Sequence, residues 1–148
     1  MDLWRWLGSF LLWAVLFVAA VLAGMPVHEA VHGVLIVLFG GRKSLRFGWD
    51  RRTLTPFAHS LRPLRAWQMA VVCLGPLVAT GLVPFVLAVV YGCVFLYALS
   101  VVFVVAAGGD MLYVLLLRKV DAGCRVMDLP DAVGFSTLPC GAPDEVSD

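Results

Sequence analysis

The sequence predicts an all-α integral membrane protein with three transmembrane helices, and three observations predict it. Hydrophobic residues make up 61% of the 148 positions and charged residues only 14%, with a mean hydropathy of +0.94. Long apolar runs recur at residues 10–23, 71–90 and 94–107, each bounded by Gly, Pro or basic residues. Their lengths approach the ~20 residues a helix needs to cross a hydrocarbon core about 30 Å thick. The third observation is where the charge falls. Of the eleven Lys and Arg, ten lie on one side if three spans start with the N-terminus outside, and only Arg5 lies opposite. By the positive-inside rule that side is cytoplasmic, and an even number of spans would break the asymmetry.

The first span is expected at about residues 9–39, with Trp4, Trp6 and Trp13 as interfacial anchors at its outer end. At 1.5 Å per residue it measures roughly 45 Å, so it must tilt, kink or project. Pro26 predicts the kink, because it offers no N–H to the carbonyl of Leu22. Cleavage after a signal-like start would leave residues 27–39 too short to span, so an uncleaved helix is the better reading. A basic stretch follows, broken by Gly and Pro. Within it residues 44–49 and 53–57 read as a small cytoplasmic hairpin around Asp50, Arg51 and Arg52.

The second span is expected at about residues 64–90, with Gly75, Pro76 and Pro84 inside it. Such breakers strip backbone carbonyls of their helical partners, and those groups must then face protein or water. The uncharged Tyr91-Gly92-Cys93 forms an external turn, and the third span runs over about 94–117, stopped by Arg118 and Lys119. Residues 1–135 read as one membrane unit and 136–148 as a disordered cytoplasmic tail, loop-like from Val120 onward. Cys73, Cys93, Cys124 and Cys140 show no CxxC pair and no ligand spacing, so they read as apolar fillers or reduced thiols.

The chemistry concentrates at His28, Glu29 and His32, an HExxH pattern inside the first span. Residues four apart share a helix face, so both imidazoles can grip one zinc ion while Glu29 reaches a water on it. An ionisable group at the centre of a membrane helix costs about 2.5–3.5 kcal/mol, which weighs against three of them without a purpose. The bland alternative is a polar packing seam or a proton path.

Zinc needs a third protein ligand. The candidates are Asp50, Asp110, Asp121, Asp128, Asp131 and His59, of which only Asp110 lies inside a span. Depth favours it. Counted from the cytoplasmic helix ends, the histidines lie about 10–17 Å deep and Asp110 about 12 Å. Gly108 and Gly109 are expected to let the third helix approach the first. His59, close to Pro56, is a possible accessory residue for the metal, the substrate or an oxyanion, or else a plain loop histidine.

These motifs resemble the site-2 protease group of intramembrane zinc metalloproteases, and more closely a bacterial membrane branch of zincin peptidases. The stretches that carry the likeness are TPFAHSLRPLR at 55–65, GPLVATGLVPF at 75–85, AGGDMLYVLLLRK at 107–119, and Asp128-Leu-Pro followed by Gly134-Phe135. The resemblance spans about residues 27–135. One departure from the better-known members concerns substrate handling: the chain contains no asparagine, and Asp110 is followed by Met111 rather than glycine.

The resemblance implies a zinc-dependent endopeptidase cutting in or beside the bilayer, with His28, His32 and Asp110 as ligands and Glu29 acting on zinc-bound water. A catalytically silent zinc-binding scaffold is the alternative, and a transporter fits less well because the spans offer few polar lining residues. Expected partners are membrane lipid and a membrane-protein or peptide substrate rather than nucleic acid. The expected location is the cell membrane, multi-pass, with the C-terminus cytoplasmic.

Overall fold

A computed structural model describes residues 2–50, 55–129 and 134–139. Three helices are long and apolar enough to cross a membrane, Leu3–Gly40, Ala66–Tyr91 and Val94–Leu117. The first, α1 (Leu3–Gly40), runs 38 residues and continues through Pro26 without interruption. It starts six residues earlier than expected, so at 1.5 Å per residue it is about 57 Å long. In its N-terminal half Trp13 and Phe17 contact the rest of the protein, their rings meeting Phe95 edge-on at 5.7 Å.

The basic stretch after α1 forms the hairpin: β1 (Leu45–Asp50) pairs antiparallel with β2 (Thr55–Ser60). The expected turn residues Arg51 and Arg52 lie outside the described residues. The hairpin folds back on α1 at Gly33, where a Cβ would stand 3.0 Å from the Phe47 ring and 3.3 Å from Leu45. A side chain there would have to push the Phe47 ring and the Leu45 methyls aside, and the contact comes one residue after His32.

The second span is composite. After β3 (Leu64–Arg65) comes α2 (Ala66–Pro76), then a π-helical turn over Leu77–Leu82, then α3 (Val83–Tyr91). Gly92 ends it in the left-handed conformation at φ 64°, which a glycine adopts without steric cost. The third span divides at Ala107 into α4 (Val94–Ala106) and α5 (Gly108–Leu117).

Two expectations need correction here. The segment after Val120 is not wholly loop. Residues 125–128 form β4 and residues 135–137 form β5, and with β3 they make an antiparallel sheet in the order β3-β4-β5. Ser136 and Thr137 therefore belong to a strand that pairs Val126 with Thr137, while residues 140–148 lie outside the described residues. Cys124 is disulfide-bonded rather than a plain thiol, whereas Cys73 and Cys93 are free.

The core sits at the charged end of the molecule. Ile36, Met69, Val72, Cys73, Leu117 and Val126 are buried together there, joining α1, α2, α5 and the three-stranded sheet. Val126, fully buried, explains why the two-residue β3 holds its place: an apolar anchor under the sheet offsets the few backbone bonds.

Candidate metal centre

The α-helical repeat places His28 and His32 on one face of α1, with ring centroids 5.2 Å apart. Both are buried, and Glu29 is half-buried beside them. One ligand atom from each of the three lies within 4.8 Å of the others, a grouping able to hold a metal ion.

Asp110, in the first turn of α5, reaches the same point from the third span. Its Oδ2 lies 3.2 Å from His28 Nε2 and its Oδ1 lies 3.4 Å from His32 Nε2. The two carboxylate oxygens are thus divided between the two imidazoles. The expected means of approach is not the one used. A Cβ on Gly108 or Gly109 would meet nothing within 4 Å, so neither glycine lies at a helix contact. The close approach is at Gly24, where the ring of Phe103 from α4 packs directly on the backbone of α1. Phe103 also stacks on His28, with centroids 6.3 Å apart.

The far nitrogens are held as well. His32 Nδ1 lies 3.0 Å from the carbonyl oxygen of Val72. A carbonyl can only accept, so Nδ1 carries the hydrogen, and in the neutral ring Nε2 is left as a lone pair. His28 Nδ1 lies 3.4 Å from Thr80 Oγ1, whose own hydroxyl donates to the carbonyl of Pro76 at 2.8 Å. In neutral rings with hydrogen on Nδ1, both Nε2 lone pairs face the Asp110 carboxylate, an arrangement that a cation between them, a proton or a metal ion, would satisfy.

The donor set fits zinc: two imidazoles and one carboxylate are the three protein ligands of a zinc site that keeps its fourth position for water. The two Asp110 oxygens stand 3.2 and 3.4 Å from the imidazole nitrogens.

Glu29 is oriented by the hairpin, since the backbone N–H of Ala58 in β2 donates to its Oε2 at 3.0 Å. A cleft of about 260 Å³, lined by Met25, His28, Glu29, Pro56, Phe103 and Ala106, opens beside these residues. Its walls are mainly apolar, and its polar groups are those of the cluster.

His59 stands elsewhere. It lies in β2, not a loop, and its Nδ1 is 2.6 Å from Asp128 Oδ2 in β4. The Tyr113 hydroxyl donates to Asp128 Oδ1 at 2.8 Å and lies 3.1 Å from the Gly134 carbonyl. Asp128, one of the carboxylates weighed as a ligand, is thus committed to tying the hairpin, α5 and the three-stranded sheet together. Asp121 is exposed, and Asp131 lies outside the described residues, as does the side chain of Asp50.

The supporting groups Val72, Thr80 and Ala58 were not singled out from sequence. Two of them act through main-chain atoms, which no side-chain pattern reveals. Pro76 was the available signal, since a proline inside a span frees a carbonyl four residues earlier.

Residues 21–125 match the family model described as "Putative zincin peptidase". No curated protein and no solved structure matches the chain. The family match takes in His28, Glu29, His32 and Asp110 and most of the chain, and its description implies zinc as the metal. The chain belongs to this family.

Proposed function

We propose that this zincin-family protein is a zinc-dependent intramembrane endopeptidase that hydrolyses peptide bonds in or next to the bilayer. His28, His32 and Asp110 would hold the ion, and Glu29 is the general base. The observation that carries the reading is the Asp110 carboxylate, brought by the third span to 3.2 and 3.4 Å from the two imidazoles of the first. Ligands drawn from two spans also support a relation to the site-2 protease group.

Zinc, when bound, supplies Lewis-acid polarisation of the scissile carbonyl and lowers the pKa of a nearby water. The chain's own residues do the rest. Glu29, with Oε2 fixed by Ala58, takes a proton from water as the water oxygen bonds to the carbonyl carbon. It then delivers that proton to the amide nitrogen as the C–N bond breaks. A substrate helix hides its carbonyls in hydrogen bonds, so it must unwind locally before attack, and the cleft beside Glu29 is where we expect the unwound segment to enter. The basic residues gathered on one side support, by the positive-inside rule, our reading of a cell-membrane protein whose C-terminus faces the cytoplasm.

The test is cleavage in proteoliposomes carrying a panel of single-span membrane proteins. Wild type cleaves and Glu29→Gln retains zinc without cleaving. Cleavage retained by Glu29→Gln would overturn the mechanism, and zinc binding with no cleavage of any panel member would leave a scaffold instead.

A further inference from the structure

Proline and threonine in the second span stand behind the histidines of the first, and the details of that contact are specific. Pro76 has no N–H, so the carbonyl of Val72, four residues earlier, has no α-helical donor. The next N–H along, that of Leu77, goes to the carbonyl of Leu74 instead. An orphaned carbonyl inside a membrane bundle is costly unless something donates to it. His32 Nδ1 does so, at 3.0 Å, in a buried contact between elements 40 residues apart in sequence. Pro76 is itself fully buried.

Immediately after Pro76 the helix widens into the π-turn Leu77–Leu82, and Thr80 lies within it. A π-turn shifts the side chains that follow it around the helix axis relative to an α-helix. From within this turn Thr80 Oγ1 lies 3.4 Å from His28 Nδ1. Its hydroxyl hydrogen is already given to the Pro76 carbonyl at 2.8 Å, so the oxygen can only accept from the imidazole. Residues 72–80 thus present two acceptors, one within reach of the Nδ1 of each histidine.

We propose that Pro76 and Thr80 are positioning residues for the metal centre. The break in the second span fixes the tautomer and ring orientation of His32 through the freed Val72 carbonyl, and of His28 through the Thr80 hydroxyl. Both Nε2 lone pairs are thereby aimed at the Asp110 carboxylate before any ion arrives. The inference rests on the metal-centre reading.

The experiment uses the full-length protein in detergent, with zinc affinity measured by competition against a chromophoric chelator. Histidine-selective ¹⁵N–¹H correlation spectra report the tautomers. Thr80→Val keeps shape and removes the hydroxyl; it weakens zinc binding about tenfold and gives His28 a mixed tautomer signature. Thr80→Ser restores the hydroxyl and brings both readouts back towards wild type. Pro76→Ala supplies a competing N–H to Val72 and alters the His32 signals; the Thr80 pair carries the test if this variant does not fold.

Wild-type affinity and an unchanged His28 spectrum in Thr80→Val would overturn the inference. His28→Ala separates the two failures. Zinc lost in His28→Ala but fully kept in Thr80→Val sinks the positioning role alone, whereas no zinc in wild type sinks the metal centre and this inference with it.

Discussion

The Phe103 ring occupies the space that a side chain on Gly24 would need. This contact joins the first and third spans one helical turn from His28, and Phe103 stacks on that imidazole from the same position. A glycine inside a helix ordinarily costs about 1 kcal/mol relative to alanine. Here the cost is offset by letting α4 close on α1.

Gly24→Ala is therefore expected to give none of the usual stabilisation, because the new methyl must displace a buried ring. Gly24→Leu should lower the unfolding temperature in detergent and weaken zinc binding as the spans separate. A clear stabilisation by Gly24→Ala, read by thermal unfolding, would contradict the packing.

Asp128 supports a second prediction. It accepts from Tyr113 and pairs with His59, so three chain segments converge on one carboxylate. Tyr113→Phe and Asp128→Asn should each destabilise by about 1–2 kcal/mol, with the double variant costing less than the sum. Denaturant unfolding of the four proteins measures the coupling. Strict additivity would show that the contact does not matter in solution.

Metal removal gives a third. A ligand that binds only the folded state stabilises it by about 2.7 kcal/mol at a free concentration one hundred times its Kd. Chelation should lower the unfolding temperature of wild type, and added zinc, but not magnesium, should restore it. A variant lacking both His28 and His32 should not respond. An unfolding curve indifferent to chelator would count against a resident ion.

Much of this arrangement was legible in the sequence because the bilayer makes apolar length and charge placement informative. The three spans were expected within six residues of their observed ends, and the third matched at both. The HExxH pattern and the single intramembrane Asp110 stood out because ionisable groups are rare where hydrocarbon penalises them.

What stayed hidden depends on contacts rather than composition. Residues 125–128 are too few to show a strand period, and they are strand only because β3 and buried Val126 hold them. Gly108-Gly109 looked like the helix contact, yet Gly24 serves, since which glycine meets a neighbour depends on helix rotation. The Cys124 disulfide gave no spacing signal. Backbone acceptors such as the Val72 carbonyl are present at every residue, so only the fold singles one out.

The most direct measurement is the zinc content of purified wild type and Asp110→Ala by elemental mass spectrometry, with circular dichroism confirming equal helicity. About one zinc per chain is expected in wild type, as a mononuclear site requires, with most of it lost from Asp110→Ala. A folded Asp110→Ala protein that keeps its full zinc complement at unchanged affinity would contradict the claim that the first and third spans share one ion.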